Sequence, residues 1–280
     1  MRWKRFGLIA FLAAVLSLTS WSLWTLRQPL GDLGRHWLTP GTAQGVSFAV
    51  VGDNHGVNPI YTHMIGELSK QHLNFLLNLA DTSEYGTAQE FTAVRNLEQK
   101  LPFPVYHTVG NHDIKADPSR GLFHQVFNQN PWSGHDIGPV HLVILDNADR
   151  KVGFPAASLD WLERDLAAHK TKTILIAYHR PFDLPLTRLI GDDETKASRR
   201  SNDRFLSIIK SYRIAYIFTG HVHTYFPYTV DGIPAVISGG GGNPAQDILG
   251  GSRANFFHYL IVTVKNGTVS VDLHRVATPS

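Results

Sequence analysis

Five short apolar runs of this chain each break off at residues able to hold a metal ion. SFAVV (47–51) leads into Gly52-Asp53-Asn54-His55, LNFLLNL (73–79) into Ala80-Asp81, and PVYHTV (104–109) into Gly110-Asn111-His112-Asp113. TILIAY (173–178) leads into His179-Arg180-Pro181, and IAYIFT (214–219) into Gly220-His221-Val222-His223. Carboxylate oxygen and imidazole nitrogen, in a chain with no Cys, suit borderline divalent ions such as Mn, Fe, Zn, Co or Ni rather than thiolate zinc sites. Asp-x-His and His-x-His are not helix-face pairs, because a helix brings together residues three and four apart. They need the extended or turning backbone of a strand tip. Two ions about 3.5–4 Å apart would need a carboxylate that can bridge them. A lone Asp or His after a strand usually marks a cap or a turn. Five such tips in one chain call for a common cause.

The elements between the tips have the grammar of an α/β domain, short apolar runs alternating with amphipathic stretches. A sixth run, VHLVIL (140–145), lies between the third and fourth tips. Helices are expected near 59–71, 87–100, 158–169 and 201–211. Thr87 with Glu90 forms a capping-box signature, and Leu159, Leu162 and Leu166 give the third helix an apolar stripe. In open α/β sheets ligands gather beyond the carboxyl ends of the strands, so the five tips should share one crevice. Beyond residue 224, IPAVIS, FFHYLIVTV and TVSVDLHRV read as strands that add antiparallel pairing to a second sheet. Asn266-Gly267 signals a tight hairpin between the last two. Gly239–Gly242 reads as a turn or a loop of close backbone approach, and 183–200 as a surface loop or lid. Nine further histidines (63, 72, 107, 124, 135, 141, 169, 258 and 274) have no companion at ligand spacing and read as packing or surface residues.

The chain's 280 residues fit one large α/β unit. Its 26 Lys+Arg exceed its 23 Asp+Glu by the three basic residues Arg2, Lys4 and Arg5. The remainder is balanced, and no nucleic-acid footprint is indicated. After that basic start, Gly7–Leu26 is uncharged and mostly apolar. About 20 helical residues match the ~30 Å bilayer core. Trp21 and Trp24 stand where an interfacial belt would lie, and the charge asymmetry favours export of the rest of the chain. The expected organisation is a membrane anchor or signal segment over 1–27, a linker over 28–45 and one domain over 46–280. The membrane contact would be made through 7–26. The domain would then sit outside the cytoplasm, or be secreted if the segment is cleaved.

Taken together, GDNH, an Asp after the second strand, GNHD, a strand-end His and GHVH resemble the calcineurin-like metallophosphoesterase superfamily over roughly residues 46–225. LDWLERDL (159–166), followed by the strand into His179, also looks like this family. The resemblance implies two mixed β-sheets sandwiched between helices, a four-layer α/β/β/α fold, which the apolar run 7–26 would precede as one N-terminal hydrophobic helix. It implies two divalent metal ions: Asp53, His55 and His223 holding one, Asn111, His179 and His221 the other, and Asp81 bridging them. His112 would contact the phosphoryl oxygens or protonate the leaving oxygen, with Asp113 orienting its ring. The implied activity is hydrolysis of phosphate mono- or diesters by a metal-bridging hydroxide, without a covalent intermediate. The chain departs from the family at Ala80, where Gly is usual before the bridging Asp. Tyr85 lies four residues after that Asp, not the three of purple acid phosphatases, and implies no tyrosinate–iron site. Arg180 suits either substrate phosphate or an ordinary salt bridge. A catalytically silent metal-binding scaffold is the first rival and a two-metal amidase or peptidase the second. A scaffold should have lost ligands, whereas all seven stand here.

Overall fold

The sheets form around inner strands buried on both faces, which explains apolar runs without strict alternation. The structure, a computed structural model, describes residues 45–182, 195–243 and 256–277. In chain order the elements are β1 (Gly45–Val51), α1 (Pro59–Leu68), β2 (Leu76–Asn78), α2 (Ala88–Glu98), β3 (Val105–His107) and α3 (Gly121–Phe127). Then come β4 (Ser133–Ile137), β5 (Val140–Ile144), α4 (Ala156–Ala168), β6 (Thr173–Ala177), α5 (Lys196–Ile209) and β7 (Ile214–Thr219). The described chain ends with β8 (Tyr225–Val230), β9 (Ile233–Ser238), β10 (Phe257–Lys265) and β11 (Thr268–Val276).

One sheet has the order β11-β10-β1-β2-β3 and the other β4-β5-β6-β7-β9-β8. Both are mixed. In the first, β1, β2 and β3 run parallel while β10 and β11 pair antiparallel. In the second, β5, β6, β7 and β9 are parallel, with β4 and β8 antiparallel at the two edges. Phe48, Val50 and Leu77 of the first sheet share a buried cluster with Leu142, Leu175 and Phe218 of the second, so the sheets pack face to face. The alternate residues Ala49, Val51 and Leu76 turn the other way, onto Met64 and Ile65 of α1 and Val94 of α2. Ile174, Ile176 and Ile217 likewise pack on Leu159, Leu162 and Leu166 of α4 and Phe205 of α5. The result is the expected four layers, and the apolar stripe of α4 is what seats it.

Local signals explain most boundaries. Thr87 and Glu90 form the capping box of α2, with Glu90 N–H donating to Thr87 Oγ1 (3.3 Å) and Thr87 N–H to Glu90 Oε2 (3.1 Å). Asn266 and Gly267 take φ of 53° and 78°, the left-handed pair that a two-residue turn between twisted strands requires. Three elements were not expected. The short helix α3 lacks a side-chain cap bond, β4 is the polar run SGHDI, and β8 carries Pro227. Both strands are sheet edges, where polarity and Pro are tolerated and the apolar signal is weak. Helix α5 begins at Lys196, capped by Thr195, so the far end of the expected 183–200 loop is helical; 183–194 lie outside the described residues. The expected anchor (1–27) lies outside them too, as does the expected linker except for its last residue, Gly45, which opens β1. Among the described residues no helix is long and apolar enough to cross a membrane.

Candidate metal centre

The strand tips leave their sheets through backbone that most residues avoid. Asp53, His55, Ala80, Asp81 and His221 all adopt positive φ, between 44° and 74°. For a residue with a Cβ the left-handed region costs roughly 1–2 kcal/mol, and such strain persists only where surroundings over-determine it. Hydrogen bonds between tips do so here. Asp53 N–H donates to Ala80 O (2.9 Å), His55 N–H to Asp81 O (2.8 Å) and Gly220 N–H to His179 O (3.0 Å). Asn54, expected only as a turn residue, is buried and donates from Nδ2 to Thr82 O (3.1 Å), tying the first tip to the second. Ala80 occupies a left-handed position, which is the physical reason a Gly would suit it. Gly110 is required by close approach, since a Cβ there would fall on the carboxylate of Asp81.

All seven expected ligands converge. Ligand atoms of Asp53, His55 and His223 lie within 4.8 Å of one another, and those of Asp81, His179 and His221 do likewise. Asp81 Oδ2 lies 3.6 Å from His55 Nε2 and 3.3 Å from His179 Nε2, one histidine from each group. Asn111 Oδ1 is 3.2 Å from His179 Nε2. Asp53 is fully buried, accepts from the backbone N–H of His221 (2.9 Å) and lies 3.7 Å from His223 Nε2.

The tautomers are fixed from behind. His179 Nδ1–H donates to the Leu79 carbonyl (2.7 Å), and His55 Nδ1–H to Glu84 Oε2 (2.6 Å), which turns both Nε2 lone pairs inward. His55 Nε2 is buried and has no hydrogen-bond partner. Leaving such an atom unsatisfied costs about 1–3 kcal/mol. Coordination would satisfy it, with Glu84 in the outer-shell place where a carboxylate orients a ligating imidazole. The residues present therefore fit divalent metal.

Charge is concentrated here. Burial pushes the Asp53 carboxyl well above the usual carboxylate range, against the pull of His179. Burial acts the same way on Asp81, but His179 overcomes it and holds Asp81 well below that range. His179 resists the effect of its own burial through Asp81 and is raised to about 9. Burial, reinforced by the positive charge of His179 and Arg180, lowers His221 well below its ordinary value. A pair of buried carboxylates set among buried imidazoles is a cation-seeking arrangement.

His112 stands over this cluster, its backbone N–H on Asp81 Oδ1 (2.9 Å) and its ring edge-on to His55 at 4.3 Å between centroids. Its Nδ1 lies 2.7 Å from Lys115 Nζ. It also lies 3.1 Å from the backbone carbonyl of Glu84, so Nδ1 stands between a donor and an acceptor that call for opposite tautomers. Asp113 does not orient that ring. Its Oδ1 accepts from Ser83 N–H (3.0 Å) and Oγ (2.9 Å), and its Oδ2 from Gly110 N–H (3.0 Å). The expected orienting role thus passes to Lys115 and Glu84, while Asp113 braces the third tip against the second. Burial and the charge of Asp81 raise Asp113 to about 6. Nothing in the sequence singled out Glu84, because one acidic residue in a loop carries no periodicity. Tyr85 is 61% exposed with Lys115 Nζ over its ring, away from the ligands. Arg180 is buried in a cleft lined also by Asn147, Arg150 and Asn202, its backbone N–H fixed by Asn147 Oδ1 at 2.9 Å.

Comparison with known proteins agrees with this geometry. The chain is 23% identical over 170 residues to a probable cyclic nucleotide phosphodiesterase of Synechococcus sp., covering 58% of this chain and 63% of that protein. It is 26% identical over 213 residues to purple acid phosphatase 22 of Arabidopsis thaliana, covering 67% of this chain and 46% of that one. Both matches span less than two thirds of the relative's own length. Among solved structures, a purple acid phosphatase from yellow lupin (Lupinus luteus) seeds superposes with a TM-score of 0.65 at 14% identity, over 85% of this chain and 52% of that one. That likeness is one of fold. The model of the calcineurin-like phosphoesterase family matches residues 46–225, from the strand that opens the first tip to the strand just past His223, and the chain belongs to that family.

Proposed function

We propose that this protein is a hydrolase of phosphate mono- or diesters that works with two divalent ions, drawn from Mn, Fe, Zn, Co and Ni. The observation that carries this is the position of Asp81 Oδ2 between His55 and His179, one from each ligand group. Asp53, His55 and His223 would hold one ion, Asn111, His179 and His221 the other, with Asp81 shared. When bound, the ions supply a water of lowered pKa and neutralise charge on the phosphoryl oxygens. The protein's own part is then clear. His112 would contact the phosphoryl oxygens or protonate the leaving oxygen. Lys115 and Glu84 hold that ring, and Asp113 fixes the turn that carries it. A cyclic nucleotide phosphodiesterase and a purple acid phosphatase among the relatives support the ester class without choosing between one ester arm and two. Residues 7–26 would anchor the 46–280 domain to a membrane with its site outside the cytoplasm.

The test is metal-stripped protein assayed on p-nitrophenyl phosphate and bis-p-nitrophenyl phosphate with each ion restored. Turnover that returns with metal and vanishes in Asp81→Ala supports the reading. Fewer than two ions per chain in the wild-type centre would overturn it.

A further inference from the structure

The second sheet carries another cluster at its far end. The metal centre lies beyond the carboxyl ends of the strands, whereas His141 is the second residue of β5 and pairs across the hairpin with Asp136 of β4. Helix α4 brings Asp165 over this pair, and His169 follows as its C-cap. The His141 and His169 rings are stacked, with centroids 3.7 Å apart and planes 8° from parallel.

One residue sets both rings. His169 Nδ1 lies 2.7 Å from the backbone carbonyl of Asp165, which only accepts, so Nδ1 carries the proton and the Nε2 lone pair is open. His141 Nε2 lies 2.7 Å from Asp165 Oδ2, and donating there opens the Nδ1 lone pair. Those two nitrogens face the same carboxylate. His141 Nδ1 is 2.7 Å from Asp136 Oδ1, and His169 Nε2 is 3.9 Å from Asp136 Oδ2. All three ligand atoms lie within 4.8 Å of one another. Room for them is made by Gly134, where a Cβ would stand 3.0 Å from both Asp165 Oδ1 and His141 Cε1. Three electron-pair donors thus converge, and one imidazole is backed by a carboxylate and the other by a carbonyl, as ligating histidines usually are.

The geometry points to a second, separate cation site, in which Asp136, His141 and His169 bind one borderline divalent ion such as Zn²⁺ and clip the β4–β5 hairpin to the end of α4. Two nitrogens and an oxygen match that class of ion, and the half-exposed Asp136 leaves a position open to water. The cation already present is Lys172, with Nζ 3.7 Å from Asp136 Oδ2 and donating to Gly138 O (2.7 Å). The other occupant to be distinguished is a proton shared by His141 with its two carboxylates.

Full-length protein is stripped with chelator, reloaded with zinc and freed of excess, and zinc per chain is measured by atomic emission. Wild type is compared with His169→Gln and Asp136→Asn, both partly exposed positions outside the metal centre. Each variant is expected to hold one ion fewer than wild type while keeping its metal-restored ester turnover. In an Asp81→Ala background, zinc should still raise the melting midpoint, and adding His169→Gln should reduce that rise, since an ion bound only to the native state stabilises it. Equal zinc content in wild type and both variants, or a zinc-induced rise that His169→Gln leaves unchanged, would overturn the proposal and leave the cluster with a proton only.

Discussion

Glu84 reaches across from the second strand tip to hold His55 of the first, Oε2 to Nδ1 at 2.6 Å. The same carboxylate is 3.2 Å from Lys115 Nζ. One exposed residue therefore aims a metal ligand and steadies the lysine beneath His112. Replacing Glu84 by Ala should weaken metal binding or metal-restored turnover about 10–100-fold, the usual cost of losing such a partner. Glu84→Gln, which keeps an acceptor, should recover part of it. Metal titrations followed by turnover would check this, and an unchanged metal affinity in Glu84→Ala would remove Glu84 from the centre.

Removing His112 should separate binding from chemistry. His112→Ala is expected to retain its ions and lose roughly 10²–10⁴ in kcat, the range for a general acid. The loss should be small for esters of p-nitrophenol, whose leaving oxygen needs little help, and large for alkyl esters. A plot of rate against leaving-group pKa, steeper in the variant than in wild type, is the readout. Equal losses on both esters would assign His112 to phosphoryl contact alone.

Ala80 sits at φ 74° with its methyl buried. Ala80→Gly removes a left-handed cost of roughly 1–2 kcal/mol and adds unfolded-state entropy worth about 0.4–1 kcal/mol. Losing the buried methyl costs about 0.8 kcal/mol, so the three effects nearly cancel and a change of less than about 1 kcal/mol in stability is expected. Urea unfolding of the metal-free protein would measure it as a small midpoint shift with an unchanged slope, and a shift of several kcal/mol in either direction would contradict this balance.

His258 gives the fold an acid limit independent of metal. It is fully buried, with Nδ1–H on the Phe256 carbonyl and Nε2 beside Ser238 Oγ, each at 3.1 Å. Burial lowers its pKa to about 4. Between there and the unfolded value near 6.5 the unfolded chain binds the extra proton. The stability conferred by the neutral ring is thus complete above about pH 6.5 and is lost as pH falls toward 4, by roughly 3 kcal/mol over the window. His258→Gln should flatten the pH dependence of unfolding in that window relative to wild type. Parallel curves for the two proteins would show that His258 takes up its proton without unfolding.

Much of the centre was legible because its chemistry repeats. Each tip follows an apolar run, so residue type and position after a strand marked the five tips, and the resemblance then singled out Asp53, His55, Asp81, Asn111, His179, His221 and His223 as ligands. The four layers were legible through the resemblance, and the seating of α4 through its leucine stripe. What escaped depends on side-chain direction across loops. Asp113 stands next to His112 in sequence, yet its oxygens turn back to Ser83 and Gly110. Glu84 reaches His55 from 29 positions away, a pairing no local spacing encodes. His141 and His169 were read as lone residues for the same reason, since only the β4–β5 hairpin and the end of α4 bring them to one point. The edges β4 and β8 lack the doubly buried apolar signal that marked the inner strands.

The pairing of β1 with β10 has a consequence in time. Phe48 lies opposite Val262, so the strand that carries Asp53 and His55 waits for a partner about 210 positions later in the chain. Closing so long a loop makes this pairing slow relative to local helix formation. Until it closes, β1 can pair with β2 but presents its other edge bare, an apolar ribbon open to neighbouring chains. Aggregation during synthesis or refolding should therefore begin at this edge, and a chain interrupted before residue 257 would keep the ligands of the centre yet lack the strand that shields it.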